Sequence, residues 1–251
     1  TFFISKIGDD QFGSMATEIY KNSGVDYSNV IISKNHSTGA AGILVNEVTG
    51  ANAINVFPGA AGAITIEDID KAEEAIRNSS IFLTQLEAPK DVVTYALKKA
   101  NNLNVKTILN PAPAAEIDSS LFPLIDYFTP NETEASFYVN HDVITYEDAE
   151  KAASQLLDKG IKNVVITLGE KGAYFANSEE KFSLPIANLS NPVVDTTGAG
   201  DAFNAGLAAA LTEGQNIKDS LIFASATAGL STTKIGTANS MPSREEIDRI
   251  L

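Results

Sequence analysis

The stretch VVDTTGAGDAFNAG, which runs from Val193 to Gly206, is the most informative part of the amino-acid sequence. Its two valines predict the end of a buried strand, a turn of small residues follows, and a helix is predicted from Ala202 to Leu211. This order places consecutive backbone N–H groups at a helix N-terminus, where they and the helix dipole favour a bound anion. Because Asp201 beside such a site could take the proton of an alcohol, the stretch indicates phosphoryl transfer.

A well-capped helix is the alternative interpretation, since aspartate and glycine-rich turns are common at helix starts. Here two acids lie six positions apart, at Asp195 and Asp201, with three small turn residues between them, which is more than a cap requires. We therefore expect Asp201 to be a general base and the N–H groups of Gly198, Ala199 and Gly200 to form an anion hole. The sequence contains no Gly-x-x-x-x-Gly-Lys-[Ser/Thr] pattern, which excludes a Walker-type phosphate loop.

The composition is that of an ordinary globular chain. Its 251 residues are 44% hydrophobic and 20% charged, which predicts one large α/β domain at residues 1–251. The net charge of −14 argues against nucleic acid and against anionic membrane surfaces as partners. The chain has no cysteine, which excludes disulfides, thiolate nucleophiles and Cys-ligated zinc, and which fits a cytoplasmic protein.

Strands and helices are predicted to alternate from about residue 80. The predicted strands are 81–83, 105–109, 127–129, 162–168, 173–175 and 182–186, and the predicted helices are 89–100, 146–159, 202–211 and 217–231, with further helices near Glu132 and after Ser243. Such alternation predicts a mainly parallel sheet with helices on both faces, whose ligands lie at the carboxyl ends of the strands. Glu87, Asn110, Asn131, Gly169 and Asp201 all follow predicted strand ends, so we expect one shared site.

Residues 37–57 have a different pattern. Ala41–Val48 and Ala51–Val56 predict two strands joined near Thr49-Gly50. The pair could be an ordinary edge hairpin or a lid over a ligand, and periodicity does not decide between them.

Several separate motifs together resemble those of the ribokinase-like carbohydrate kinases. They are residues 195–201, Gln85-Leu86-Glu87 followed by Pro89, Asn110-Pro111-Ala112-Pro113-Ala114, Thr129-Pro130-Asn131-Glu132-Thr133-Glu134, and Ile166-Thr167-Leu168-Gly169. The resemblance implies a three-layer α/β/α fold with a small β lid that includes 37–57. It also implies ATP-dependent phosphorylation of a sugar, D-ribose to D-ribose 5-phosphate, by a homodimer in the full-length form.

The resemblance further implies roles for individual residues. Glu87 and Asp201 would contact the sugar, and Glu134 would hold Mg²⁺ through water. The residues matched to nucleotide-binding positions are Asn131, Thr167, Leu168, Gly169, Glu170, Lys171, Gly172, Gly200 and Ser225. Those matched to a K⁺ site are Asp195, Thr197, Ser231, Lys234, Gly236 and Ser240. Local alternatives remain, since Glu87 could be an exposed acid at a helix start, Asn131 and Glu134 could be a helix cap, and Lys171 could be solvated.

The opening of the chain departs from the family pattern. Residues 2–10 resemble the family well after its start, so roughly fifty to sixty residues, about two βα units, would be missing. These would carry an aspartate and a Gly-Gly-Lys-x-x-Asn segment that hold sugar hydroxyls. Two alternatives to a ribose kinase therefore stay open: a kinase-like protein that binds without turnover, and a kinase for another sugar or a nucleoside.

Overall fold

The computed structural model of the chain describes residues 1–45, 52–189 and 191–251. Two units are distinguished by their internal contacts: residues 1–79 together with 86–104, and residues 80–85 together with 105–251. Helices and strands are numbered along the whole chain.

The first unit contains two strand pairs and four α-helices among its described residues. These elements are β1 (Phe2–Gly8), α1 (Gln11–Asn22), β2 (Asp26–Ser33), β3 (Ala40–Val45), β4 (Asn52–Phe57), α2 (Ile66–Lys71), α3 (Glu73–Arg77) and α4 (Lys90–Asn102). β1 and β2 are parallel and joined by α1, whereas β3 and β4 are antiparallel. The antiparallel pair confirms the hairpin strands predicted within 37–57, and the turn predicted near Thr49-Gly50 falls outside the described residues.

The second unit contains a six-stranded sheet. Its elements are β5 (Ile81–Thr84), β6 (Lys106–Leu109), β7 (Tyr127–Phe128), α5 (Glu132–Val139), α6 (Tyr146–Asp158), β8 (Asn163–Thr167), β9 (Ala173–Asn177), β10 (Lys181–Leu184), α7 (Ala199–Thr212), α8 (Ile217–Ser231) and α9 (Arg244–Asp248). The strand order is β10-β9-β8-β7-β6-β5. Strands β5 to β8 are parallel, and β9 and β10 add antiparallel to β8. The mainly parallel sheet confirms the predicted fold class.

Helices cover both faces of this sheet because its strand residues are apolar in both orientations. On one face α7 and α8 form the core with the sheet; its buried members are Ile108, Val165, Ala173, Phe175, Leu184, Phe203, Leu207, Leu221 and Ala224. On the other face α6 contacts β8 and β9 through a stripe of small and apolar residues at helical spacing. This arrangement brings the ends of β5 to β8 and the start of α7 into one unit.

Local sequence signals explain where several helices begin. Thr145 and Asp148 form a capping box at the start of α6, which ends before Gly160 at a φ of 101°. Ser243 and Glu246 form another capping box at the start of α9, the helix predicted after Ser243. Among the described residues, no helix combines the length and the apolar character that crossing a bilayer requires.

Three sequence predictions are wrong in detail. Val193 and Val194 are not the end of a buried strand: they are 62% and 55% exposed, and Val194 N–H donates to the Thr232 carbonyl instead of to a neighbouring strand. Strand β5, whose apolar residues predict a buried strand, is only half-buried, with Leu83 38% exposed. It lies at the end of the sheet, with one neighbouring strand among the described residues. Helix α7 begins three residues before the predicted Ala202, because Gly198 takes the left-handed conformation at its N-cap.

Candidate active site

The first turn of α7 lies at a bend that is exposed at Gly200 and Asp201. Gly198 is the N-cap at φ 80°, a conformation that favours glycine, and Ala199, Gly200 and Asp201 are the first three helical residues. The N–H groups of a first helical turn have no partner within the helix. The Ala199 N–H donates to the Thr196 carbonyl at 3.2 Å, so a bound anion would have to share this donor.

Gly200 has open space around it. A Cβ atom built on Gly200 would meet no atom of another described residue within 4 Å beyond its own helix turn. Its neighbour in the bend differs, because a Cβ on Gly198 would lie 3.4 Å from the Thr237 side chain. The packing of the chain therefore does not require glycine at position 200, whereas close approach of a ligand would.

Asp201 is held at this bend by a side chain that sequence reasoning did not select. The Gln85 Nε2 atom donates to Asp201 Oδ1 at 2.6 Å. Gln85 directly follows β5, and it stood in the motif that singled out Glu87. The sequence signal for Gln85 was its place in the same motif, two residues before Glu87. It was not selected because an amide side chain does not titrate and is not a typical catalytic group.

Asn131 and Glu134 form the first turn of α5, beside the end of β7. The Asn131 side chain accepts from the Glu134 N–H at 2.8 Å, and Glu134 Oε2 accepts from the Asn131 N–H at 2.9 Å. The pair is thus a capping box, as the local alternative predicted. Burial raises the pKa of Glu134, an effect that the bond from the Asn131 N–H only partly offsets.

Replacement of Glu134 by glutamine is expected to raise the thermal midpoint at pH 7. Glutamine keeps an oxygen for the Asn131 N–H and removes the buried charge. Because the folded-state pKa is raised, Glu134 favours folding when it is protonated, and this contribution is lost as the pH rises through the raised value. The gain of the variant should therefore shrink as the pH falls toward about 4.3, the ordinary value for glutamate. Calorimetric scans between pH 4 and pH 8 measure this.

Glu246 offers a matched control in the same position of another capping box. The Ser243 N–H and then Lys234 lower the pKa of Glu246 to about 2. This carboxylate therefore stabilises the fold above its ordinary pKa, and the contribution is lost as the pH falls toward the lowered value. We expect Glu246→Gln to lower the midpoint at pH 7, opposite to Glu134→Gln. Equal signs for the two variants at pH 7 would contradict the assignment of burial as the cause.

The segment 167–172 follows β8 and lies next to the start of α5. The Thr167 N–H donates to the Pro130 carbonyl at 3.0 Å, which fixes the two segments side by side. Gly169 has a φ of 54°, Leu168 is buried and Glu170 is exposed. Two members of this segment serve the chain itself. A Cβ on Gly172 would lie 2.0 Å from the Leu184 carbonyl oxygen, and Lys171 Nζ donates to the Ile144 carbonyl at 2.7 Å.

Asp195 links two loops near the C-terminal end of α8. Its Oδ1 accepts from the Thr197 N–H at 2.9 Å and its Oδ2 accepts from the Gly236 N–H at 3.0 Å. These bonds, the one from Gly236 first, lower the pKa of Asp195 and keep it charged. Ser231 and Ser240 lie close to Gly236 in the sequence, and both are buried. Their hydroxyls donate to the carbonyls of residues 228 and 237.

The oxygens of this region are of the kind that hard cations prefer. A carboxylate, backbone carbonyls and serine hydroxyls that already donate their hydrogens can all act as acceptors toward a cation. The Lys234 ammonium pairs with Glu246 at 2.9 Å, so only its backbone carbonyl would be available. The oxygens of this region are therefore of a type that could hold a hard cation.

The remaining residues of the sequence prediction lie outside these clusters. Ser225 is half-buried in α8. Glu87 is exposed and belongs to the first unit, between β5 and α4. Their predicted roles remain predictions.

Comparison with known proteins settles the family. The model of the pfkB family carbohydrate kinases matches residues 1–244. The chain belongs to this family. The ribokinase of Haemophilus influenzae is 37% identical over 244 residues, which are 97% of this chain and 79% of that protein. The deoxyribokinase of Salmonella typhi is 33% identical over 249 residues, 99% of this chain and 80% of that protein.

Two further relatives define how much of a kinase the chain spans. The bifunctional ribokinase/ribose-5-phosphate isomerase A of Fructilactobacillus sanfranciscensis is 37% identical over 252 residues, but these are only 46% of its own length. The structure of the Arabidopsis thaliana ribokinase complexed with ribose and ATP matches at a TM-score of 0.92 and 31% identity, over 100% of this chain and 81% of the other. The carbohydrate-kinase family and the α/β fold are therefore shown.

Proposed function

We propose that the protein transfers the γ-phosphoryl group of ATP to a hydroxyl of D-ribose and forms D-ribose 5-phosphate. The observation that carries the proposal is the exposed first turn of α7, where Asp201 and the open Gly200 lie side by side in a pfkB family kinase. The relatives named ribokinase, and the one complexed with ribose and ATP, support the choice of both substrates.

The proposed chemistry assigns one task to each part of this turn. The oxygen of the sugar hydroxyl bonds to the γ-phosphorus, and Asp201 accepts the proton of that hydroxyl. The bond from the γ-phosphorus to the β–γ bridging oxygen breaks and releases ADP. The N–H groups of Gly198, Ala199 and Gly200 donate to the phosphoryl oxygens, on which charge accumulates in the transition state. Glu87 binds a sugar hydroxyl, a role that rests on its motif alone.

The nucleotide is assigned to the segments that follow β7 and β8. The residues proposed to bind it are Asn131, Thr167, Leu168, Gly169, Glu170, Lys171, Gly172, Gly200 and Ser225. Backbone approach at Gly169, with its positive φ, supports this assignment, whereas the bonding of Lys171 to a carbonyl limits its reach toward phosphate. Mg²⁺, which neutralises phosphate charge when bound, would be held through water by Glu134.

A monovalent cation is proposed at the Asp195 cluster. The residues assigned to it are Asp195, Thr197, Ser231, Lys234, Gly236 and Ser240. A K⁺ ion there would offset the charge of Asp195, whose backbone bonds connect it to the turn that leads into Gly198. We also propose a cytoplasmic homodimer, with residues 37–57 acting as a lid over the sugar. The apolar residues that β3 and β4 expose support a covered surface there, with Leu44 72% and Phe57 59% exposed.

A product assay tests the function and the cation together. ATP with D-ribose should yield ADP and D-ribose 5-phosphate, measured by chromatography, and replacing Na⁺ by K⁺ should increase the rate. Binding of ATP or ribose without ADP release would support a binding protein instead. Equal rates in Na⁺ and K⁺ would remove the cation site and leave the kinase proposal intact.

A second acceptor is favoured by one comparison. The deoxyribokinase similarity makes 2-deoxyribose the first alternative substrate. A panel of ribose, 2-deoxyribose, hexoses and nucleosides, compared by kcat/KM, separates these acceptors.

A further inference from the structure

Four polar side chains connect the ends of three strands to the first turn of α7. They are Gln85 after β5, Asn110 after β6, Thr129 after β7 and Asn204 within α7. Asn110, Thr129 and Asn204 are only 7%, 1% and 4% exposed. Buried polar groups need hydrogen-bond partners, and each of these four residues is hydrogen-bonded to a neighbour in the series.

These hydrogen bonds fix the orientation of the three side-chain amides, those of Asn204, Asn110 and Gln85. Asn204 Nδ2 donates to the Gly200 carbonyl at 2.9 Å, so its Oδ1 accepts from the Thr129 hydroxyl at 2.6 Å. Asn110 Nδ2 donates to the Thr129 carbonyl at 2.8 Å, which turns Asn110 Oδ1 toward Gln85. Both atoms that face the Gln85 amide are therefore oxygens. The donor end of that amide must point at Asp201, because the opposite orientation would oppose oxygen to oxygen.

We infer that Gln85 is a positioning residue for the Asp201 carboxylate, an inference that rests on the proposed function. The bond of 2.6 Å engages Oδ1, which leaves Oδ2 to accept the proton of the sugar hydroxyl. An exposed aspartate otherwise samples several rotamers, and misplacement of a reacting group by about 1 Å can cost about 10²-fold in rate. Gln85 is suited to this task because it follows a strand directly and because Asn110 contacts the same Nε2 at 3.4 Å.

The neutral amide suits a general base better than a cationic partner would. A lysine or arginine would bind the charged carboxylate more strongly and weaken its affinity for a proton. An amide instead directs the carboxylate with an ordinary hydrogen bond. The Gln85 amide therefore directs Asp201 Oδ1 without placing a second charge beside it.

A thermodynamic cycle tests the contact without any need for turnover. The variants are Gln85→Glu, Asp201→Asn and the double variant Gln85→Glu with Asp201→Asn, whose thermal midpoints are measured at pH 8 and pH 5. Gln85→Glu places two carboxylates within hydrogen-bond distance, so its midpoint should fall by about 2–4 °C at pH 8 and by less at pH 5, because the repulsion between the two charges weakens as protons bind. The double variant recreates an amide–carboxylate bond with its ends exchanged and should regain part of the loss at pH 8, because the carboxylate at position 85 would still face Asn110 Oδ1. If the change in thermal midpoint of the double variant equals the sum of the changes of the two single variants, the inference is overturned.

Kinetics then test the consequence for the reaction. Gln85→Leu should lower kcat by about 10-fold to 10²-fold with the KM for sugar and for ATP within about twofold, because alignment and not binding is lost. In Gln85→Glu the acidic limb of the pH profile should move to higher pH. Gln155→Glu is the same change at an exposed position of α6, and it should alter neither kcat nor the acidic limb of the pH profile.

The outcomes separate this inference from the proposed function. If the unmodified protein forms sugar phosphate and Gln85→Leu keeps its kcat, the positioning role is wrong and the kinase proposal stands. If the unmodified protein forms no product while the cycle shows coupling between the two residues, the kinase proposal fails and the contact is structural only.

Discussion

Asp201→Asn is expected to lower kcat by about 10²–10⁴-fold, the usual contribution of a positioned general base. Asparagine keeps an oxygen that can accept from Gln85 and has nearly the same shape. It cannot take the proton of the sugar hydroxyl at any pH of the assay. The KM for ATP should change little, because the phosphates are assigned to backbone N–H groups. Steady-state kinetics with ribose and ATP measure both constants.

Asp219 provides the control for this substitution. It is the third residue of α8, as Asp201 is of α7, and it interacts with the Asn216 N-cap. Asp219→Asn removes the same charge from a helix N-terminus, at a cost of about 0.3–1 kcal/mol. We expect it to leave kcat unchanged. Near-normal turnover by Asp201→Asn would end its assignment as the base.

Gly200→Ala is expected to lower kcat/KM by about 10²-fold while the protein keeps or gains stability. The added methyl group meets no other described residue, and alanine in a helix is favoured over glycine by about 1 kcal/mol. It would however occupy the space assigned to a phosphoryl oxygen and displace the reacting group. Thermal scans and kinetics on the same preparation give both results.

Gly206→Ala tests the opposite combination in the same helix. A Cβ there would lie 2.7 Å from Thr227 Oγ1 and 2.9 Å from Ala224 Cα, where α7 packs on α8. Overpacking should destabilise the protein by about 1–3 kcal/mol, and the folded fraction should keep its kcat. If Gly200→Ala retained full activity, the anion site would have to lie elsewhere.

Local signals in the sequence predicted most of the second unit. Capping residues mark the starts of α6 and α9, and Gly160 marks the end of α6. Apolar runs located the strands. All of these signals act between residues close together in sequence. The site motifs at Asn131 and at Asp201 were also correctly placed at helix starts. The β1-α1-β2 unit was not predicted, since its strands carry mixed polar residues and are only partly buried.

The errors arose where distant contacts decide the structure. Val193 and Val194 have a strong preference for strands, but the carbonyl of Thr232 captures the Val194 N–H. Gln85 meets Asp201 across 116 positions of sequence, and no local pattern announces such a contact. Sequence reasoning selects titratable residues for chemistry, so an amide that directs one of them is easily missed.

The two tasks assigned to Asn131 and Glu134, capping α5 and the proposed binding of nucleotide and Mg²⁺, have a consequence for evolution. Their reciprocal bonds build the start of α5, so a descendant that had abandoned catalysis would still be under selection to retain both. Their persistence in a distant homologue is thus weak testimony for an active enzyme. For Gly200 the inference is the opposite. No neighbour among the described residues requires glycine there, so its replacement by a larger residue would be an early sign of a lineage that has lost the proposed reaction.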